Sequence, residues 1–197
     1  MTASVSASPL LTGFEPAMRV DATLLIMGSF PGEASLAAGQ YYAHPRNQFW
    51  PIVAAVLGWP KLNSMAYGQR VQAAQAAGLA VWDVYAGCER EGSLDSAIRA
   101  AEPNDLAALV AQLPSLRGIA HNGGESARAM RLTAQLGLPV WRLPSTSPAN
   151  ASWSLERKRQ AWQAVFEACG LVRGDGGPAD PENRGCENHP SAPRHAV

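Results

Sequence analysis

LLIMGSFPGEASLAAGQYYAHPRNQFW, residues 24–50, is the stretch from which the chain is best read. Leu24, Leu25, Ile26 and Met27 form a continuous apolar run, which predicts a buried strand over 20–27. Residues 28–48 then form a long segment, with one helical turn expected over 33–38. A loop of this length in a compact domain is either functional or disordered. Tyr41, Tyr42 and the apolar segments on both sides argue against disorder. Gly28, Pro31 and Gly32 shape a tight strand exit, and His44, Arg46 and Asn47 crowd polar groups near its far end. Together they point to a pocket for a flat, polar-edged ligand such as a nucleobase.

The rest of the chain alternates strands with helices. Phe49, Trp50, Val53, Val56 and Leu57 recur with helical period, Pro51 fits a first turn, and Gly58 is a stop. Further helices are expected over 67–77, 93–101, 104–113, 125–135 and 154–169, with Ser93 and Asn104 as N-caps of two of them. Strands are expected over 79–84, 118–121 and 139–143. This order implies an α/β domain of three layers, α/β/α, around a central four-stranded parallel sheet. Ligands of such sheets sit beyond the carboxyl ends of the strands. The 28–48 loop, the Asp83 region, HNGG (121–124) and LPSTSPANAS (143–152) all follow strands directly, so they should meet at one rim.

Bulk properties bound the function. The 197 residues are 47% hydrophobic, enough for one substantial core. The domain is placed at 13–172, between a loose N-terminus (1–12) and a breaker-rich tail (173–197) expected to be disordered. The net charge is zero, which argues against a general electrostatic coat for nucleic acid; 14 of the 16 basic residues are Arg, which suits a local groove with forked phosphate contacts. Cys88, Cys169 and Cys186 show no metal or disulfide spacing. No signal peptide or membrane span is evident, so a cytoplasmic protein without membrane contact is expected. The Walker and GxGxxG patterns are absent, and no covalent triad, metal motif or spaced carboxylate pair stands out. No cofactor or metal is expected.

Each candidate residue has a plainer reading beside the functional one. Asn47 is a natural helix N-cap, and equally an amide able to orient a water or grip a base. Tyr41 and Tyr42 can be core side chains, or one of them can stack on a base. His44, before Pro45, is structural by default. Asp83 ends an apolar strand, where an acid needs a partner or exposure at the rim. Asn122 can cap the turn at Gly123 and Gly124. Ser145, Thr146 and Ser147, stiffened by Pro148, can form turns or donate to phosphate. Arg90 reads as a solvated surface residue, with phosphate contact as the alternative.

Taken in order, GSFPGEASL, YYAHPRNQFW, WDV, GSLDSAI, PND, HNGG and LPSTSPANA resemble the uracil-DNA glycosylase superfamily, and within it the hypoxanthine (deoxyinosine) DNA glycosylase branch. The resemblance spans roughly residues 13–169. It implies the four-stranded parallel sheet and a monofunctional DNA-deoxyinosine glycosylase that flips out a deaminated base and hydrolyses its N-glycosidic bond, without metal or cofactor. The implied partner is double- or single-stranded DNA carrying such a base, met by a monomer in a bacterial-type cytoplasm at the nucleoid. Mismatch-specific relatives carry GINPG, whose Asn positions the water; here Phe30 stands there. In the hypoxanthine branch the Asn of HPRN is implicated instead, which carries over to Asn47. The expected catalytic residues are Asn47 and Ser29. Phe30, Tyr42, His44, Asp83 and Asn122 are expected at the base, with Asp83 and Asn122 both open as acceptors of the N1–H of hypoxanthine. Gly32, Arg46, Ser145, Thr146, Ser147 and Pro148 are expected at the DNA. The rival functions are a uracil or mismatch glycosylase, a damage-binding module without turnover, and a nucleoside hydrolase.

Overall fold

The computed structural model of the protein describes residues 10–172. Residues 1–9 of the expected loose N-terminus and all of the expected 173–197 tail lie outside them. Along the described chain run β1 (Leu10–Thr12), β2 (Leu24–Gly28), α1 (Glu33–Ala38), α2 (Phe49–Val56), α3 (Tyr67–Ala76), β3 (Leu79–Asp83), β4 (Tyr85–Glu89), β5 (Arg99–Pro103), α4 (Leu106–Ala111), β6 (Gly118–Asn122), α5 (Met130–Thr133), β7 (Val140–Leu143) and α6 (Leu155–Ala168).

Four of the strands form the expected parallel sheet, in the order β3-β2-β6-β7. All five residues of β2 are buried. Successive side chains of a strand face opposite ways, which divides the core. Leu24 and Ile26 pack with Phe49, Trp50, Trp162 and Phe166, while Leu25 and Met27 pack with Leu106, Leu109 and Ile119. Helices α2, α3 and α6 therefore cover one face, and α4 with the region around α5 covers the other. In α2 (FWPIVAAV) six of eight residues are buried, which a helix apolar on most of its surface requires. Among the described residues, no helix is long and apolar enough to cross a membrane.

Several expected elements come out differently. Leu10–Thr12, placed in the loose N-terminus, pairs antiparallel with β4, which also pairs with β5 in a second, three-stranded sheet. The helix expected over 93–101 is instead a 3-10 turn at Asp95–Ala97 followed by β5. The partner strand β4 offers backbone hydrogen bonds that outweigh the helix propensity of Ala and Leu, and Ala100 takes a positive φ of 45° that no α-helix allows. Asn104 does not cap α4; Asp105 does, accepting from the Ala108 N–H at 2.9 Å. The Asn104 side chain instead donates to the Asp83 carbonyl at 2.9 Å, tying the end of β3 in place. The helix expected over 125–135 is broken into 3-10 turns at Ser126–Ala129 and Ala134–Leu136, with only α5 between them.

Lys158 joins the frame to the loops. It lies on the inner side of α6, is buried, and its Nζ donates to Gln48 Oε1 at 2.8 Å and to the Asn150 carbonyl at 2.9 Å. One ammonium thus holds the start of α2 and the loop after β7 together. Lys158→Met keeps the aliphatic length and removes the head group, leaving Asn150 and Gln48 short of a donor. The expected outcome is a loss of about 1–3 kcal/mol in urea unfolding, with secondary structure by circular dichroism unchanged.

Candidate functional site

The carboxyl ends of the four parallel strands open onto one cavity of about 790 Å³. All four expected loops reach it: Gly28 to Gly32 after β2, Asp83 at the end of β3, Asn122 to Gly124 after β6, and Leu143 to Asn150 after β7. A fifth wall, Ser93 to Ser96, comes from the turn that replaces the expected helix. Of the residues expected from sequence, Ser29, Phe30, Gly32, Tyr42, His44, Asn47, Asp83, Asn122, Ser145, Thr146, Ser147 and Pro148 line this cavity. Arg46 is exposed and lies outside the lining.

The floor is made by Gly28 and Asp83, which are register partners where β2 and β3 end. A Cβ on Gly28 would run into Asp83 Oδ1 and would lie 3.3 Å from the Tyr42 hydroxyl. Glycine here leaves room for a buried carboxylate and a buried phenol at the same point. Both are unusual groups. Asp83 is 4% exposed and its Oδ2 has no hydrogen-bond partner; the Tyr42 hydroxyl is also buried without one. The Asp83 pKa is raised to about 7, first by burial and then by the Asp95 carboxylate, with Arg90 acting in the opposite direction. The Tyr42 hydroxyl is held far above the ordinary phenol range, first by burial and then by Asp83, with the neighbouring Asn122 amide acting in the opposite direction. The Tyr42 ring stacks on Phe49 with centroids 3.9 Å apart, so one of its faces is taken.

Asn47 satisfies both of its sequence readings in part. Its Oδ1 accepts from the Phe49 N–H at 3.0 Å, which caps α2 from one residue further out than the helix boundary requires. With the oxygen so held, the Nδ2 amide is the end left for a ligand. His44 Nδ1 accepts from the Arg46 N–H at 3.1 Å, which makes it a turn-former at the cavity wall. Asn122 uses both ends of its amide on one residue, donating to Thr146 Oγ1 at 2.9 Å and accepting from the Thr146 N–H at 3.0 Å. Thr146 is wholly buried, so its hydroxyl pins the 143–152 loop while Ser145 and Ser147 flank it nearer the surface. Gly123 takes a φ of +104°, and a Cβ there would press on the Ser145 Cβ at 2.9 Å.

Arg90 departs from the surface reading. It is buried, donates to the Pro31 and Gly92 carbonyls, and lies over the Phe30 ring at 5.1 Å. It locks GSFPG against the 92–96 turn. Asp95 was not among the expected site residues. Its Oδ1 accepts from the Ser29 hydroxyl at 2.6 Å, and its pKa is raised by desolvation and by Glu125, with Ser29 and Arg90 opposing. GSLDSAI was visible as a motif, but a helical reading gave its acid no reason to face the strand ends. Among the described residues, no group of three or more His, Cys, Asp or Glu side chains could hold a metal ion.

The model of the uracil DNA glycosylase superfamily matches residues 16–166. A protein of Methanosarcina acetivorans named hypoxanthine DNA glycosylase is 36% identical over 154 residues, 78% of this chain and 96% of the relative. One of the same name from Methanosarcina barkeri is 32% identical over 155 residues, 79% of this chain and 97% of the relative. A solution NMR structure of a Methanosarcina acetivorans protein superposes with a TM-score of 0.74 at 34% identity, covering 82% of this chain and 99% of its own.

The buried acid leaves a signature in stability. The Asp83 carboxyl titrates at about 7 in the folded chain against 3.8 for the ordinary group. Between those values the folded chain holds a proton that the unfolded chain has lost, so the stabilisation is complete at acid pH and is lost as pH rises through about 7. Asp83→Asn removes this dependence. Thermal or urea unfolding from pH 4 to 8 is expected to show the variant gaining on the parent across pH 4–7, and then a constant difference. A difference that does not change with pH would contradict the assigned burial of charge.

Proposed function

Because the chain belongs to the uracil DNA glycosylase superfamily, we propose that it excises hypoxanthine from DNA, hydrolysing the N-glycosidic bond of a deoxyinosine flipped into the cavity beyond β2, β3, β6 and β7. The two curated relatives named hypoxanthine DNA glycosylase support the choice of base, since each is matched over nearly its whole length. The protein acts as a monomer on cytoplasmic DNA, double- or single-stranded.

The observation that carries the reading is the unpartnered Asp83 Oδ2 at the cavity floor. Deamination of adenine turns N1 from an acceptor into an N–H donor and replaces the exocyclic amine with a carbonyl. A buried acceptor with no partner suits that new donor and leaves adenine without one, and an unmatched polar pair in a closed site is what rejects a close analogue. Asn122 is the weaker candidate for this contact, because both ends of its amide serve Thr146. Phe30 and Tyr42 supply aromatic walls for the base, worth roughly 1–3 kcal/mol per stacked base. Ser145, Ser147 and Pro148 stand at the cavity lip, and Gly32 opens α1 there, where DNA backbone would pass. Arg46, exposed beside Asn47, approaches the same backbone from outside the cavity.

Asn47 is the proposed catalytic amide. As the C1′–N9 bond lengthens, negative charge moves onto the departing base and positive charge onto the sugar. The Nδ2 of Asn47, fixed by the Phe49 N–H on its other end, donates to the base as that charge grows. A donor held in place before the reaction costs no reorganisation during it. The carbonyl of hypoxanthine spreads the charge, which makes it a better leaving group than adenine.

The test is a panel of oligonucleotides bearing hypoxanthine, uracil, xanthine or a G·T mismatch, read by alkaline cleavage of abasic sites. Hypoxanthine is expected to be released fastest. Asn47→Ala is expected to lose about 10²–10³ in single-turnover rate. Asp83→Ala is expected to lose about 1–3 kcal/mol of hypoxanthine selectivity over adenine. Faster release of uracil or mismatched thymine would reassign the substrate, and tight binding without release would make this a damage-binding module.

A further inference from the structure

We propose that Asp95 is the carboxylate that receives the proton of the attacking water in this cavity, and that Ser29 is the residue that positions it. The proposal rests on the glycosylase reading above and concerns the half of the reaction that Asn47 and Asp83 leave unserved.

Hydrolysis at C1′ needs a group that fixes a water and accepts its proton, and the cationic sugar of the transition state is favoured by a nearby negative charge. Among the described residues, only two carboxylates line the cavity, Asp83 and Asp95. Asp83 stands at the buried floor, where the base edge is read, and the sugar joins the opposite side of the purine. Asp95 lines the cavity from the exposed 93–96 turn, with its carboxylate bonded to Ser29 at the strand exit. Neither of the two residues that the sequence offers for positioning a water has an oxygen free for it. Phe30 has no polar side-chain atom, and the Asn47 oxygen is held by the Phe49 N–H.

Asp95 is also held for the task. The Ser29 hydroxyl donates to its Oδ1 at 2.6 Å, the length of a charge-assisted hydrogen bond. Ser29 is itself fixed at the strand exit, where its carbonyl accepts from the Tyr85 N–H at 3.1 Å. Oδ2 of Asp95 makes no hydrogen bond to any described residue, so one carboxylate oxygen is anchored and the other is open. Desolvation and Glu125 make the group a readier proton acceptor than an ordinary aspartate, against Ser29 and Arg90. The step balances simply. A water lone pair forms the C1′–O bond as the C1′–N9 bond breaks and its electron pair leaves with the base. The water proton passes to Asp95 Oδ2 and on to solvent, and the departed base anion takes a proton from solvent.

The experiment compares full-length parent, Asp95→Asn, Ser29→Ala and Ser29→Thr. It measures single-turnover release of hypoxanthine from a deoxyinosine oligonucleotide, and affinity for the same oligonucleotide carrying 2′-fluoro-2′-deoxyinosine, whose glycosidic bond resists cleavage. Asp95→Asn keeps an oxygen for the Ser29 hydroxyl, so the fold is expected to be retained. Its rate is expected to fall about 100-fold or more, in the range for removal of a general base. Its affinity should be unchanged or tighter, because a negative charge near DNA has been removed. Ser29→Ala is expected to lose about tenfold in rate, the worth of one charge-assisted hydrogen bond, and Ser29→Thr, which keeps the hydroxyl, to recover most of it. An Asp95→Asn enzyme as fast as the parent overturns the assignment, as does a loss of rate matched by an equal loss of affinity. A parent that releases no base removes the glycosylase reading and this assignment together. An active parent with an equally active variant removes this assignment alone.

Discussion

Where β2 and β3 end side by side, a glycine faces an aspartate, and the missing Cβ of Gly28 is what lets the Asp83 carboxylate sit at the end of the sheet. Burying an acid without a partner is costly, and a protein tolerates it where the group has work that solvent would prevent. The surroundings of Asp83 are arranged around that cost. Asn104 fixes its backbone, Tyr42 closes over it with a second unpartnered hydroxyl, and the Asp95 carboxylate adds repulsion from the cavity wall. The parallel sheet keeps this floor rigid, because all of β2 is buried between two helical layers.

Around that floor, a few polar pins turn loose-looking segments into walls. Arg90 clamps GSFPG to the 92–96 turn through two carbonyls and the Phe30 ring. Thr146 and Asn122 join the loops after β7 and β6 by reciprocal hydrogen bonds. Lys158 reaches from α6 to both Gln48 and Asn150. Behind the sheet, His121 lies between Ser126 and Thr133, with its pKa lowered to about 4 by burial, so it stays neutral and structural. Each pin is a buried polar group held by hydrogen bonds, with only Arg90 Nη1 left unpartnered among them, and such bonding is the condition under which polarity inside a protein gives order. The result is a cavity whose walls belong to different parts of the chain but are held as one body.

The departures from the sequence reading share a cause. The 93–101 segment has good helix formers, yet β4 presents an open edge to it, and ladder hydrogen bonds decide its conformation. Leu10–Thr12 reads as the end of a loose lead-in until the other edge of β4 is considered. Arg90 reads as a surface residue because nothing local announces the carbonyls of Pro31 and Gly92 that receive it. In each case the deciding partner lies far away in sequence or is created only by folding. Lys158 differs, since a lysine in register with Trp162, Val165 and Phe166 on an apolar helix face is a legible sign of a buried ammonium.

The sequence by itself determined the parallel sheet, its covering helices and the rim where four loops converge, because these follow from periodicity, strand length and chain order, which are local quantities. It also marked Asn47, Asp83 and GSFPG as residues too polar or too constrained for their positions. Only the tertiary structure decided which of them are free to act. Thr146 engages both ends of the Asn122 amide, Phe49 engages the oxygen of Asn47, and Asp83 Oδ2 is left without a partner. Whether a polar atom is satisfied depends on neighbours that the fold brings from elsewhere. No pattern in the chain can state it before the chain is packed.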